Sequence, residues 1–281
     1  MDVPGTTKRR DREFSMQLFR HWIEATTTIT IDGVPTEITC YGHSNDSLDD
    51  ARENAREQAA SIEKKISDGR GAVGEYDVAV REEIIEVIDS RNIVSRNRYG
   101  ALVLNSESVV FIDIDEPRLG LWEWLFGRRG RTKKQKIRDM IEKRIAQGDY
   151  TQLAFRLYET RAGMRLVVDG QDIPPQSDES RNLLRAFNCD PLYAMLCVRQ
   201  QSYRARLTPK PYRMRLKGTR IHYPRNADDE QSTQTWVADY DNASARFATC
   251  KFVKAFGRQS RSDIIQYHDN MTRAHEAMKL A

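Results

Sequence analysis

The sequence predicts an α+β fold, in which an N-terminal α/β layer is joined to a second unit built on an antiparallel sheet. Short β-rich runs bounded by turn residues alternate with stretches in which apolar residues recur at helical spacing. Two helical stretches begin at a Ser or Thr, which are typical helix caps. With 281 residues, 39% of them hydrophobic and 31% charged, the chain is long enough to bury a core without a metal or disulfide. We divide it into a flexible tail at residues 1–14, an N-terminal subdomain at 15–98 and a second subdomain at 99–281.

The N-terminal subdomain begins with a predicted β-hairpin. Residues 27–32 and 35–41 are rich in strand-forming residues and flank an Asp-Gly dipeptide, which is typical of hairpin turns. Ser47 is the predicted N-cap of a helix that ends at Gly69. The apolar residues of this helix recur at helical spacing: Leu48, Ala51, Ala55, Ala59, Ile62 and Ile66. A second helical stretch is predicted around residues 80–88.

The second subdomain is predicted to start with strands at residues 101–105 and 109–115. Thr132 is the predicted cap of a helix that ends at Gly148. Two strands, two helical segments and a last strand follow at residues 153–159, 164–169, 179–186, 191–200 and 202–207. From residue 109 onward the order is β-α-β-β-α-β, which is that of a ferredoxin-like unit. Because many functions use this fold, it does not by itself identify the chemistry.

Composition argues against several classes of protein. The four cysteines are scattered without a Cys-x-x-Cys pair, which disfavours zinc modules, redox dithiols and disulfide frameworks and favours a reducing cytoplasm. No window approaches 18 uninterrupted apolar residues, so we expect no membrane span. The charged N-terminus lacks the apolar stretch of a secretory signal. We therefore expect a cytoplasmic protein that does not act at a membrane.

Charge is strongly segregated along the chain, although the formal net charge is only +4. Residues 43–90 carry 13 acids and 6 Lys or Arg, whereas residues 128–144 carry 9 basic residues against 2 acids. Residues 199–225 carry 9 basic residues and no acid. Two basic blocks in a near-neutral chain predict a local positive surface for a polyanion. Solvated faces, with arginines paired to the acidic N-terminal half, are an equal alternative.

Two aspartates at a strand end are the leading candidates for chemistry. Asp113 and Asp115 alternate with two isoleucines, so both carboxylates project from the same face of the strand. The two carboxylates repel each other unless a positive charge lies between them. Mg²⁺ or Mn²⁺ could bind there, because hard cations prefer oxygen ligands. A two-metal site would stabilise the attacking and leaving oxygens of a phosphoryl transfer. The alternative is two residues that end a strand before Pro117.

This acidic strand, with the helix and hairpin that follow it, resembles the catalytic unit of the archaeo-eukaryotic primase superfamily. In that family an α/β layer is joined to an RRM-like unit, and the resemblance covers residues 109–168. It implies that Asp113 and Asp115 hold a divalent metal. A late acid at a strand completes the family's site, and Asp239 or Asp241 is its match here.

The family's second motif is a small residue, a short Gly-containing stretch and a His that contacts the phosphates of the incoming nucleotide. The local match is Thr160, Gly163 and Arg165, so the His is replaced. An arginine binds a triphosphate through its planar guanidinium but does not titrate as His does. The resemblance thus implies nucleotide binding and leaves polymerase activity open. The whole chain also resembles an uncharacterised family of bacterial proteins in stretches at residues 98–100, 190–193 and 204–211, which implies no activity.

A basic segment with interleaved tyrosines, residues 202–225, is the second candidate site. Basic side chains that follow phosphates, with aromatic rings for stacking, are typical of single-stranded nucleic-acid binding. Strand alternation places Arg204 and Arg206 on one face. The predicted nucleic-acid contacts of this segment are Arg204, Arg206, Lys210, Arg213 and Arg215. The alternative is a strand and loop with cationic outer positions and tyrosine rings partly in the core.

A third candidate is the Trp-containing stretch at residues 121–131, in which Arg128, Arg129 and Arg131 follow the aromatic residues. It could act as a lid or contact a nucleic-acid template. An apolar patch or partner contact is the alternative for its aromatic rings.

Three hypotheses therefore remain. The first is a primase-like, divalent-metal-dependent nucleotidyltransferase that acts on nucleic acid and nucleoside triphosphates, with Asp113, Asp115 and Asp239 as its catalytic residues. The second is a nucleic-acid-binding protein on the same scaffold that has lost catalysis. The third is a protein–protein interaction module that uses the Trp-containing stretch.

Overall fold

A computed structural model of the chain describes residues 15–31, 33–68, 79–116 and 132–281. Helices and antiparallel sheets both contribute to it, so the α+β fold class is confirmed. Among the described residues, no helix has both the length and the apolar character required to cross a membrane.

The N-terminal hairpin and helix form as predicted. Strands β1 (His21–Ile31) and β2 (Val34–Ser44) pair antiparallel, and helix α1 (Leu48–Ser67) packs on them. The Oγ of Ser47 caps α1 by accepting from the backbone N–H of Asp50 at 3.0 Å. The helix face that meets the hairpin carries small residues. Asp32 and Gly69, to which the sequence assigned the turn and the helix end, lie outside the described residues.

The helix predicted around residues 80–88 is wrong. Strand β3 (Glu83–Asp89) occupies this region and pairs antiparallel with β4 (Asn92–Arg96), a strand that is absent from the predicted elements. The apolar residues of β3 recur in doublets that mimic helical spacing, but several are β-branched and favour a strand. All five residues of β4 are buried, including three polar ones, so β4 lacks the alternation that reveals a half-exposed strand.

Strands β3 and β4 belong to a four-stranded antiparallel sheet with β5 (Leu102–Ser106) and β9 (Tyr203–Arg206), in the order β3-β4-β5-β9. The boundary expected between residues 98 and 99 falls in the turn between β4 and β5. Strands from both expected subdomains therefore share one sheet.

A second four-stranded antiparallel sheet contains β6 (Val110–Asp115), β7 (Ala154–Thr160), β8 (Gly163–Asp169) and β11 (Cys250–Gly257), in the order β11-β7-β8-β6. Helix α2 (Lys133–Gln147) connects β6 to β7 and buries Ile137 and Ile141. It begins at Thr132 as predicted, with a capping box to Gln135. The first three strands of the predicted unit are therefore present, but β9 hydrogen-bonds to β5, and β11 takes the fourth place beside β7.

Two helices precede β9, α3 (Asp178–Ala186) and α4 (Pro191–Gln200), both close to their predicted positions. The side chain of Tyr193 on α4 joins the two sheets. Its Oη donates to the carbonyl of Phe111 in β6 at 2.9 Å and accepts from the backbone N–H of Arg204 in β9 at 3.0 Å. This bridge brings the face of β6 that carries Asp113 next to β9.

The C-terminal part adds helices α5 (Ala227–Ser244) and α6 (Asp263–Thr272), a 3-10 turn at Pro211–Met214 and the short pair β10 (Phe247–Ala248) and β12 (Lys279–Leu280). Asp239 and Asp241, expected at a strand, lie on α5. That helix is favoured by the Asn226 cap and by three acids in its first turn, which complement the helix dipole. His268 lies on α6, and His275 lies beyond its end.

Candidate functional site

Asp113 and Arg165 are direct partners across strands β6 and β8. The guanidinium binds the carboxylate at two points, Nε to Oδ1 at 2.7 Å and Nη2 to Oδ2 at 3.0 Å. Arg165 is only 1% exposed, whereas the Asp113 side chain is 43% exposed. Burial alone would raise the pKa of Asp113, but the adjacent Arg165 outweighs it and holds this pKa below its usual value. Asp113 is therefore an ionised, fixed acceptor.

The guanidinium of Arg165 also makes hydrogen bonds on the side that faces away from Asp113. Its Nη1 donates to the carbonyl of Arg206 at 3.0 Å and to Nε2 of His268 at 3.2 Å. Because Nε2 accepts, the ring proton of His268 lies on Nδ1, 3.1 Å from Oδ1 of Asp269. Burial and the Arg165 charge lower the pKa of His268, so its ring is neutral at pH 7.

Asp269 ends this row of side chains. Its Oδ2 accepts from Nη2 of Arg156 at 2.6 Å, and the ring of His275 is 3.1 Å away. Burial would raise the pKa of Asp269, but hydrogen bonds and the charge of Arg156 reduce it to about 2. A continuous hydrogen-bonded network thus runs from the partly exposed Asp113 through the buried Arg165 and His268 to Asp269.

The acidic residues do not fit the metal site implied by the resemblance. Both carboxylate oxygens of Asp113 accept from Arg165, which supplies the positive charge that was expected from a metal ion. Asp115 shares this face of β6 but is exposed at the strand end, and Asp239 is exposed on α5. Asp241 lies 3.4 Å from the guanidinium of Arg96. Across the part of the chain that the structure describes, no group of three His, Cys, Asp or Glu residues could hold a metal ion.

The residues that match the second primase motif, Thr160, Gly163 and Arg165, have structural roles in this fold. Gly163 lies opposite Asp115, and a Cβ at this glycine would be 2.1 Å from the carbonyl oxygen of Ile114. The carbonyl of Thr160 accepts from Nζ of Lys134 at 2.8 Å. Arg165 is buried in its ion pair. Close strand packing therefore accounts for Gly163, and the buried Arg165 is not presented to a nucleotide.

A cleft of about 490 Å³ lies beside this network, between α4 and the junction of the two sheets. Four arginines and two carboxylates line it: Arg81, Arg98, Arg204, Arg206, Glu82 and Asp113. Apolar side chains, among them Val80, Val103 and Leu196, line the rest together with Tyr99. The cleft therefore combines a strongly cationic lining with an apolar one.

Three of these arginines have buried N–H groups without a hydrogen-bond partner: Nη1 of Arg81, Nε of Arg204 and Nε of Arg206. Arg206 is the most exceptional, because its guanidinium makes no hydrogen bond or ion pair with any described residue. Burial lowers its pKa, and the nearby charges of Arg165 and Arg213 lower it further against the opposing effect of Asp113. An anion in the cleft would relieve this unfavourable charge.

The other two arginines are anchored by neighbours. Arg204 donates through Nη2 to Glu82 at 2.5 Å, and Glu82 also accepts from the hydroxyl of Ser95 at 2.6 Å. The guanidinium of Arg81 lies 3.4 Å from the ring centroid of Tyr41, a cation–π contact. These contacts orient the guanidiniums before any ligand binds.

Exposed aromatic rings accompany the cations. Tyr99, 51% exposed, lines the cleft, and Nη2 of Arg98 donates to its hydroxyl at 2.7 Å. Tyr212 is 67% exposed on the 3-10 turn. Slight burial would raise the pKa of Tyr212, but Arg213, Lys210 and Arg206 outweigh it and lower this pKa. Positive potential thus extends from the cleft onto this turn.

The predicted nucleic-acid contacts are only partly brought together. Arg204 and Arg206 project from one face of β9, as expected, and both line the cleft. Lys210 and Arg213 are half-buried at the 3-10 turn, and Arg215 is exposed just after it. Arg128, Arg129 and Arg131 lie outside the described residues.

Four residues of the cleft lining do not belong to any of the candidate sites predicted above, namely Arg81, Glu82, Tyr99 and Tyr193. They come from three distant parts of the chain, and no local spacing connects them. The predicted helix around residues 80–88 concealed the place of Arg81 and Glu82 directly ahead of β3. The pairings β3–β4, β4–β5 and β5–β9 bring the start of β3, the β4–β5 turn and β9 together, and Tyr193 is tied to β9 by its hydrogen bond with Arg204.

Comparison of the chain with protein-family models, with curated proteins and with solved structures finds no match.

Proposed function

We propose that this protein binds single-stranded nucleic acid through the arginine-lined cleft and does not depend on catalysis to do so. The observation that carries the proposal is the set of three buried, unpartnered arginine N–H groups around one cleft. A buried polar group that lacks a hydrogen bond costs about 1–3 kcal/mol, and more when it is charged. Phosphate oxygens would satisfy these donors with charge-assisted hydrogen bonds.

Nucleic acid is favoured over a small inorganic anion because aromatic rings and further cations continue from the cleft. Tyr99 and Tyr212 expose rings on which bases can stack, an interaction worth about 1–3 kcal/mol per base. Lys210, Arg213 and Arg215 extend the positive surface beyond the cleft, so a strand longer than the cleft could be followed. A cytoplasmic location belongs to the proposal, and four buried free cysteines support it.

Metal-dependent nucleotidyl transfer, which the resemblance to primases implies, stays a prediction. The two-point pairing of Asp113 with Arg165 disfavours it, since a metal at Asp113 would lie beside a buried guanidinium. Asp113 still faces the cleft, so Mn²⁺-dependent extension of a primed strand is a direct assay. Extension by the wild-type protein that is lost in a folded Asp113→Asn variant would restore the catalytic hypothesis.

The proposal is tested by fluorescence anisotropy of a labelled single-stranded oligonucleotide. We expect Arg206→Ala to weaken binding at least tenfold, because its unpaired guanidinium is the primary anion contact. Affinity should fall steeply between about 50 and 200 mM salt. Arg181→Ala is the matched control, since Arg181 is a surface arginine on α3 that pairs with Asp178 and does not line the cleft. Binding that is absent, insensitive to salt or equal in Arg206→Ala and Arg181→Ala would refute the proposal.

A further inference from the structure

We infer that the cleft selects a phosphomonoester, the terminal phosphate of a strand or the phosphate of a free nucleotide, over the internal phosphodiester. The inference rests on the proposed function, because it assigns a ligand class to the same arginines. Charge, the arrangement of donors and the size of the cleft each support it.

The charge of the lining matches a dianion. Four arginines face two carboxylates, which leaves two positive charges in excess. The charge of Asp113 is largely neutralised by Arg165 behind it, so the excess felt by a ligand is greater still. A phosphodiester carries one negative charge, whereas a phosphomonoester carries about −1.5 to −2 at pH 7. The monoester therefore compensates the cleft better.

The unpartnered N–H groups of the cleft also outnumber the two non-bridging oxygens of a phosphodiester. Unpartnered N–H groups come from Arg81, ahead of β3, and from Arg204 and Arg206 on β9. A phosphodiester offers two non-bridging oxygens, whereas a phosphomonoester offers three terminal oxygens, one for each of the three unpartnered N–H groups. The guanidiniums of Arg81, ahead of β3, and of Arg204 and Arg206 on β9 therefore suit a terminal phosphate.

The cleft has the size of a site for one nucleotide. Its volume of about 490 Å³ is within the usual range for small-ligand sites, about 300–1,000 Å³. Val80, Val103 and Leu196 supply an apolar lining, and Tyr99 offers a ring, so a base can be accommodated beside the phosphate. A terminal nucleotide can enter such a cleft without leading the strand out at the other side.

The experiment compares oligonucleotides of one sequence that carry a 5′-phosphate, a 3′-phosphate or only hydroxyl ends. We expect one phosphorylated form to bind at least fivefold more tightly than the hydroxyl form. Arg206→Ala should abolish this difference, whereas Arg206→Lys should retain part of it. Because the lysine variant keeps a cation at the position, its partial rescue separates ligand contact from misfolding. Arg181→Ala should leave the preference unchanged.

Competition with a nucleoside monophosphate and with inorganic phosphate distinguishes the sources of the phosphomonoester. Displacement of the hydroxyl-ended strand by the monophosphate, without a preference among strand ends, would assign the cleft to a free nucleotide. Equal affinity of all three strands, with no competition, would overturn the inference. If those strands still bind and Arg206→Ala still weakens them, the proposed function survives. If no strand binds but the monophosphate does, the inference survives and the proposed function fails.

Discussion

Arg165 and Asp113 form a two-point ion pair between adjacent strands, with the guanidinium almost fully buried and the carboxylate facing the cleft. The buried partner is the one that cannot lose its charge, so the pair is held in its ionised form. His268 supports Arg165 from the side opposite Asp113. These contacts fix Asp113 in one orientation where it lines the cleft.

We expect the ion pair to contribute strongly to stability. Asp113→Asn leaves the charge of Arg165 buried with a weaker partner, and breaking a buried pair typically costs about 3–5 kcal/mol. Because Asp113 is partly exposed and the amide retains one acceptor, we expect about 1–3 kcal/mol, measured by denaturant unfolding. Asp178→Asn, in the exposed pair with Arg181, should change stability by no more than about 0.5 kcal/mol. Equal effects of the two substitutions would contradict this role for Asp113.

Lowering the pH should reduce the stability of the fold in two separate pH ranges. Folding lowers the pKa of His268 below its value in the unfolded chain, about 6.5. As the pH falls through that value, the unfolded chain binds a proton at His268 more readily than the folded chain does, and this favours unfolding. Stability is therefore lost as the pH falls below about 6.5. Unfolding titrations should show a smaller slope in His268→Gln than in the wild type. His222→Gln, at an exposed position, should keep the slope.

Asp269 accounts for the lower range. Its pKa is reduced to about 2, against about 3.9 in an unfolded chain, so its stabilising effect is complete above about pH 4 and disappears as the pH falls through 2. Acid unfolding of Asp269→Asn, followed by circular dichroism, should be less steep between about pH 4 and 2. Asp178→Asn provides a surface control. An unchanged acid transition in Asp269→Asn would exclude this carboxylate as a determinant.

Local signals in the sequence predicted much of the fold, and long-range contacts explain what they missed. Thr132 and the spacing of Ile137 and Ile141 define α2 because a cap and one apolar face are local properties. The pairing of Asp113 with Arg165 depends on the register of β6 and β8, which no short stretch encodes. The cleft depends on β9 joining β5, whereas the predicted order placed β9 in the other sheet.

Gly163 should be sensitive to the smallest substitution. A Cβ in Gly163→Ala would meet the backbone carbonyl of Ile114 at 2.1 Å, and backbone cannot move aside as a side chain can. Overpacking of this kind costs about 1–3 kcal/mol. Gly218→Ala is the control, since nothing lies within 4 Å of its added Cβ. Differential scanning calorimetry should show a lower Tm for Gly163→Ala alone, and equal Tm values would contradict the close approach of these strands.

Tyr193 should connect stability to ligand binding. Tyr193→Phe removes the hydroxyl that joins Phe111 to Arg204, leaving a buried carbonyl and N–H without this partner, at a cost of about 1–3 kcal/mol. Because Arg204 also lines the cleft, oligonucleotide affinity should fall about two- to tenfold, as 1.4 kcal/mol corresponds to a factor of ten. Tyr203→Phe removes a buried hydroxyl that donates to Ile173 at 3.0 Å, away from the cleft lining. It should destabilise the fold similarly yet leave affinity unchanged, so a parallel loss of affinity in both variants would show that Tyr193 acts on stability only.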